Sequence, residues 1–184
     1  MKAYHHGDLR RVLLAEAATA IEEQGVANLS LRELARRAGV SHAAPAHHFG
    51  DKAGLLTALA IEGFARLGEA LSQAPSFLDG GVAYVVFAVE NRAHFEVMFR
   101  PELYHADDPA LVEARNRSGA ALYAGAEQMP DAAADPGLVR ATGLAGWSMA
   151  HGFATLWLSG ALPDMGTSLE DAARTVLRRL NPDA

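Results

Sequence analysis

The run SLRELARRAGVSHAAPAHHFGDK, residues 30–52, decides the fold of this chain. Ser30 and the glutamate three residues later form a capping-box signature, in which the hydroxyl accepts a backbone N–H and the glutamate reaches back. The helix that starts there must be short, because Gly39 follows as a turn residue that tolerates positive φ. Ser41 is a good N-cap for a second short helix, which we expect to end near Gly50.

A longer helix precedes this pair. Apolar residues recur at helical spacing from about Asp8 to Gln24, and Gly25 is well placed to end that helix. Two short helices around a glycine turn, braced by a third, predict a helix-turn-helix. A helical hairpin that binds nothing is the alternative. The expected core positions are Leu9, Val12, Leu13, Ala17, Ala20, Ile21, Leu31, Leu34 and Ala35.

The proline of the run fits the second short helix. With Ser41 as N-cap, Pro45 falls in or just after the first turn, where early N–H groups lack helical partners in any case. Asp51 can cap a fourth helix that runs to about Ser72. The proline therefore does not argue against a helix here.

The rest of the chain also reads as helical, so the predicted fold class is all-α. No stretch shows sustained period-two alternation bounded by hairpin turns. Pro75 and the pair Gly80-Gly81 predict a break after the fourth helix. Apolar helical segments are then expected near residues 82–100, 109–128, 137–162 and 168–180.

Composition sets limits on the function. The net charge of −6 sits in the later part of the chain, because residues 1–55 sum to +1 and the remainder to −7. A local DNA-binding face is therefore compatible with the total. The chain has no cysteine, which excludes disulfides and thiolate sites. The N-terminus lacks the apolar run of a signal peptide, so we expect a cytoplasmic protein.

One segment is long and apolar enough to raise the question of a membrane span. Residues 141–162 contain no Asp, Glu, Lys or Arg. The same segment holds four glycines and several hydroxyl residues, and a proline-marked loop follows it. A helix of small residues buried between protomers explains it better than insertion into a bilayer.

The run resembles the DNA-binding domain of the tetracycline-repressor-like (TetR-type) transcriptional regulators. Positions that match the family pattern are Ser30, Arg32-Glu33-Leu34-Ala35, Ala38-Gly39-Val40-Ser41, His48-Phe49 and Lys52. The resemblance implies a DNA-binding domain at residues 1–55 and a helical ligand-binding and dimerisation domain at 56–184. It also implies a homodimer, a double-stranded DNA operator that is nearly palindromic, a small-molecule effector of unknown identity and the role of a repressor.

In that family the third helix enters the major groove, which makes residues 41–48 the recognition helix. His42 and His47 are the candidates for polar contacts to DNA, and the alanines for methyl contacts. Arg36 or Arg37 is a further candidate for a phosphate contact. Tyr4, His5 and Arg10 of the N-terminal arm could also reach DNA. The predicted DNA-binding residues are Ser30, Arg32, Ser41, His42, Ala43, Ala44, Ala46, His47 and Lys52.

The chain departs from the family at one position. Ala46 stands where these regulators usually carry a tyrosine whose hydroxyl reaches a phosphate. The resemblance therefore implies either weaker DNA binding or compensation by other residues, such as His47 or the arm.

A second resemblance lies in the C-terminal part. Trp147 and His151-Gly152 are similar to a Trp-x-x-x-His-Gly signature of one C-terminal domain class in the family. Aromatic residues cluster in this region, which fits either a core or an apolar pocket with a few polar groups. The candidate ligand contacts are Met98, Phe99, Trp147 and His151.

Three other functions compete with this interpretation. The sequence around Ser148 nearly spells a hydrolase nucleophile elbow, but no strand is predicted before it. His42, His47 and His48 lack the spacing of a helical metal pair, so we expect no metal site and no cofactor. A dimeric helical module without sequence-specific DNA binding is the third alternative.

Overall fold

The computed structural model describes residues 6–130, 132 and 135–180, and these form helices and turns with no strand. The all-α prediction is confirmed. The helices are α1 His6–Gln24, α2 Leu31–Arg37, α3 Ala44–Phe49, α4 Lys52–Ser72, α5 Phe77–Glu90, α6 Arg92–Met98, α7 Pro109–Ala126, α8 Pro136–Leu158 and α9 Leu169–Leu177. Single 3-10 turns lie at Val26–Asn28, Pro101–Leu103 and Arg178–Leu180.

The chain divides into two compact units. The first contains the residues up to Gly63 together with Arg92–Glu113, and the second contains Phe64–Asn91 and the residues from Ala114 onward. The division falls inside α4 and α7 rather than between helices. It describes packing, whereas the predicted division at residue 55 concerns function and stays a prediction.

The core of the first unit lies where α1 packs against α2, α3 and α6. Most of the predicted core positions are buried, namely Leu13, Ala17, Ala20, Ile21, Leu34 and Ala35. Leu9, Val12 and Leu31 are half-buried. Burying these apolar side chains is the main force that holds α1 and the two short helices together.

The turn between α2 and α3 has the predicted geometry. Gly39 has φ 65°, a left-handed conformation that favours glycine. The Val40 N–H donates to the Ala35 carbonyl at 3.0 Å, which closes the end of α2. Because Ala35 is fully buried and small, the two helices can approach at this point.

The predicted capping box is only half present. The Ser30 hydroxyl accepts the Glu33 N–H at 3.2 Å, as expected for an N-cap. Glu33 does not reach back to Ser30. Its carboxylate instead accepts two hydrogen bonds from Arg36, at 2.6 and 2.8 Å, because the bidentate pairing with a guanidinium is the stronger interaction.

The second short helix begins later than predicted. Ser41 is not its side-chain cap, because α3 starts at Ala44 and its N-cap, Ala43, makes no side-chain hydrogen bond. The Ser41 carbonyl accepts the Ala44 N–H at 3.0 Å and so forms a turn before the helix. Pro45 is buried in the first turn, which confirms its predicted position.

The second unit is built on α5, which packs against α8 and α9. The predicted break at Gly80-Gly81 is wrong, since both glycines lie inside α5, which Ser76 caps. A Cβ on Gly81 would lie 2.9 Å from Cδ1 of Leu177, so the absent side chain allows α9 to approach closely. The predicted segment 82–100 divides at Asn91 into α5 and α6.

Gly54 allows a close backbone approach in the first unit and generates a prediction. A Cβ at this position would lie 2.0 Å from the Phe49 carbonyl oxygen, which is backbone and cannot rotate away. We therefore expect Gly54→Ala to lower the free energy of unfolding by about 1–3 kcal/mol, measured by urea denaturation.

Gly119→Ala in α7 is the matched control, because a Cβ there meets nothing within 4 Å. It should raise stability by about 1 kcal/mol through helix propensity alone. A Gly54→Ala variant as stable as the Gly119→Ala variant would contradict the packing argument.

Candidate functional site

The outer surface of α3 and the turn before it carries most of the residues predicted to touch DNA. Five of these residues are exposed, namely Ser41, His42, Ala43, Ala46 and His47. Ala44 is half-buried and Pro45 is buried, so they hold the segment against the unit. The exposed face is therefore formed from two histidines and small residues, with no Asp, Glu, Lys or Arg among them.

The three arginines of α2 have different surroundings. Arg32 is exposed and makes no hydrogen bond or ion pair with the described residues. Arg36 is paired with Glu33, although its side chain remains 71% exposed. Arg37 donates to Glu23 at 2.7 Å, and this pair joins α2 to α1. Of the three, Arg32 has its full hydrogen-bonding capacity available to a partner outside the described chain.

Ser30 and Lys52 both make contacts within the first unit. The Ser30 hydroxyl is exposed and already caps α2. The Lys52 ammonium donates to the Ala27 carbonyl at 3.1 Å. An ammonium has three donors, so this bond leaves others for a phosphate. Lys52 thus holds the turn after α1 close to the start of α4.

Arg10 takes part in a contact that the sequence did not predict. Its guanidinium lies 5.3 Å from the ring centroid of Phe49, a cation–π distance. This pair joins α1 to the end of α3. Tyr4 and His5, the other proposed arm residues, lie outside the described residues.

A cavity of about 470 Å³ lies within the second unit. Its volume is within the range of small-molecule sites, and its lining is mostly apolar. It is formed by α4, α5, α7, α8 and the end of α9. The lining residues are Leu71, Ser72, Ala74, Ser76, Phe77, Leu78, Gly80, Gly81, Tyr84, Ala121, Leu122, Ala124, Gly125, Gln128, Met129, Gly146, Trp147, Ala150, Leu177 and Arg178.

Tyr84 is the polar centre beside this cavity. Its hydroxyl accepts the Trp147 Nε1–H at 3.2 Å and lies 2.8 Å from Nδ1 of His151. Burial raises the pKa of Tyr84 well above its usual range, and the Trp147 hydrogen bond only partly opposes this. Burial also lowers the pKa of His151, so its neutral imidazole can accept the Tyr84 O–H.

The four predicted ligand contacts do not come together. Trp147 lines the cavity, and His151 is linked to it through Tyr84. Met98 is buried in the first unit, where its carbonyl accepts the Tyr104 O–H at 2.8 Å. Phe99 packs edge-on against Phe95 with ring centroids 5.3 Å apart. This cavity therefore supports Trp147 and His151 as ligand-site residues and gives no support to Met98 or Phe99.

The geometry bears on the competing functions as well. Ser148 lies in the middle of α8, without the strand and strained turn of a nucleophile elbow. In the described part of the chain, no three His, Asp or Glu side chains are grouped to hold a metal ion. None of the described helices has the length and apolar character needed to cross a membrane.

Comparison with known protein families gives two matches. Residues 77–180 match the model described as "Tetracyclin repressor-like, C-terminal domain", and residues 13–59 match "Bacterial regulatory proteins, tetR family". The chain belongs to the TetR family. It is therefore a transcriptional regulator that binds DNA and responds to a ligand, and it is not an enzyme.

Solved structures share this TetR architecture. A protein of unknown function from Rhodococcus sp. RHA1 is 36% identical, with 98% of this chain and 97% of that chain covered and a TM-score of 0.80. The TetR family transcriptional regulator PfmR from Thermus thermophilus is 23% identical over 91% of this chain and 96% of that one, with a TM-score of 0.64.

A third neighbour is a bacterial regulatory protein in the TetR family from Rhodococcus RHA1. It is 19% identical over 94% of each chain, with a TM-score of 0.70. The two neighbours below 25% identity show the fold alone. No curated protein matches the chain.

His151 generates a pH prediction for this TetR protein. Because burial lowers its pKa in the folded state, the unfolded state takes up the proton first as the pH falls. The contribution of His151 to stability is present above its unfolded pKa of about 6.5, and it is lost progressively as the pH falls from there through the lower pKa of the folded state. We expect His151→Gln to lose less stability than the wild-type protein between pH 7.5 and pH 5.

Urea denaturation at both pH values measures this difference. His42→Gln, at an exposed position, is the control and should follow the wild-type protein. Equal losses in the wild-type and His151→Gln proteins would show that the folded state does not hold this imidazole neutral.

Proposed function

We propose that this regulator is a repressor that binds a near-palindromic operator as a homodimer. The segment 41–48 of each protomer would enter one major groove, with the two segments about one helical turn of DNA apart. The observation that carries this proposal is the exposed face of Ser41, His42, Ala43, Ala46 and His47 beside the glycine turn. In this proposal residues 1–55 bind DNA, and residues 56–184 bind the effector and the second protomer.

In this proposal some residues recognise the base sequence, and others fix the position of the protein on the DNA backbone. His42 and His47 are exposed donors and acceptors that suit base edges, and Ala43, Ala44 and Ala46 give close approach or methyl contacts. Arg32 supplies a charge that no described residue neutralises, which suits a phosphate. Ser30 and Lys52 would contribute with the hydrogen-bonding capacity that remains to them.

The effector site in this proposal is the cavity beside Tyr84. Trp147 and His151, the two side chains of the Trp-x-x-x-His-Gly signature, both hydrogen-bond to the same hydroxyl. That shared role supports placing the chain in this C-terminal class. Effector binding would favour a dimer spacing that does not fit the operator, and DNA would then be released in the cytoplasm.

A mobility shift with DNA flanking the protein's own gene tests the function. We expect His47→Ala to weaken specific binding by about 1–3 kcal/mol, because one base contact is lost from each half-site. Arg140→Ala, an exposed change on α8, is the control and should bind like the wild-type protein. Binding that is independent of sequence, or unchanged in His47→Ala, would argue against this recognition surface.

The outer face of α8 is the surface that we expect to contact the second protomer. Leu156 is 47% exposed and Leu138 is 42% exposed, although both are large apolar side chains. They are eighteen residues apart, about five helical turns, and therefore lie on one face. Residues 141–162 carry no charge, so this face suits another apolar surface better than water.

Leu156→Glu should convert the homodimer to monomer, because a carboxylate would be buried without a partner at the interface. Light scattering coupled to size exclusion measures the mass. Met165→Glu, at an exposed residue beyond the end of α8, is the control and should remain dimeric. A Leu156→Glu protein that keeps the dimer mass would move the interface elsewhere.

A further inference from the structure

Most polar groups around the cavity of the second unit are already engaged. The Ser72 hydroxyl donates to the Glu69 carbonyl at 2.9 Å. The Ser76 hydroxyl is used in capping α5, where it accepts the Asp79 N–H and donates to the Asp79 carboxylate. Tyr84 is held between Trp147 and His151. Their hydrogen bonds are already used within the protein, so these groups shape the wall and leave the choice of a polar head group to other side chains.

Two lining side chains differ from the others. Gln128 and Arg178 are exposed, and neither makes a hydrogen bond or ion pair with the described part of the chain. Both offer N–H donors, and the guanidinium offers several in a planar fork. Since the other lining residues are apolar or engaged, the free donor capacity of this otherwise apolar lining belongs to these two exposed side chains.

The described lining of the cavity carries positive charge only. Arg178 is the single charged side chain in its described lining, which contains no carboxylate. The nearest acid in sequence to the lining on α5, Asp79, is bound by Arg174 at 2.7 Å and by Ser76. A cationic ligand would therefore meet repulsion without a counter-charge, whereas an anionic ligand would meet a guanidinium.

We propose that the effector is an amphipathic carboxylate, whose apolar body fills the cavity and whose carboxylate pairs with Arg178. This inference rests on the proposed effector role of the cavity and names its ligand class. The planar guanidinium matches a carboxylate with two parallel hydrogen bonds, which is stronger and more specific than a single ammonium contact. Apolar contact with residues such as Phe77 and Leu122 would supply the rest of the affinity.

Isothermal titration of the full chain with three probes tests the ligand class. The probes are decanoate, decanol and decylammonium, which share one apolar body and differ in the head group. We expect decanoate to bind most tightly, decanol more weakly and decylammonium most weakly. Equal binding of all three, preference for decylammonium, or no binding of decanoate would overturn the proposal.

Arg178→Gln identifies the partner of the head group. This substitution should weaken the binding of decanoate by at least about tenfold, because a charge-assisted hydrogen bond is lost. The affinity for decanol should not change. Arg179→Gln is the matched control, because Arg179 is exposed in the same turn and does not line the cavity. Equal losses of decanoate affinity in the two variants would show that general electrostatic attraction is responsible. That result would overturn the proposed pairing of the carboxylate with Arg178.

A third variant separates the cavity from the surface. Ala121→Phe adds a ring to a half-buried lining position and should abolish binding of decanoate and decanol together, with helicity checked by circular dichroism. Retained binding would place the probe outside the cavity and overturn the proposal. Operator binding without ligand is measured in parallel. A protein that binds its operator but not decanoate would contradict the ligand class alone, whereas a protein that does not bind the operator would contradict the repressor role.

Discussion

The left-handed turn at Gly39 is the constraint on which the exposed surface of α3 depends. With φ at 65° and the Val40 N–H bound to the Ala35 carbonyl, α2 must end there and the chain must change direction. Ala35 is small enough for the following segment to pack close. The exposure of His42 and His47 is a consequence, since Pro45 is buried and fixes the opposite side of the helix.

The second unit is organised around a polar group rather than a turn. Tyr84 is buried on α5, and its hydroxyl needs partners because a buried polar group without them is costly. Trp147 and His151 supply them from α8, one helical turn apart on the same side of that helix. The signature pattern thus has a physical meaning, in that two residues at i and i+4 satisfy one hydroxyl and fix α8 against α5.

Local sequence signals predicted the first unit better than the second. The positive φ of Gly39 and the tolerated position of Pro45 follow from rules that act within a few residues. The start of α3 could not be predicted from the same local rules, because the geometry of the turn before the helix decides where the helix begins. The cavity was harder to predict, because its walls come from segments distant in sequence. Gly80-Gly81 suggested a break, yet the pair lies inside α5 where Leu177 of α9 packs against it. The hydrogen bonds of Tyr84 likewise depend on the tertiary pairing of α5 with α8.

Ala46 limits the hydrogen-bonding capacity of the exposed face of α3. It is exposed on α3 at a position where related regulators usually carry a tyrosine, so no hydroxyl is available there for a phosphate. Arg10 of α1 places its guanidinium 5.3 Å from the ring centroid of Phe49, at the end of the same helix. A guanidinium in a cation–π contact still has N–H donors at its edge. Arg10 of α1 therefore brings hydrogen-bond donors close to the end of α3, a helix that carries no hydroxyl at Ala46.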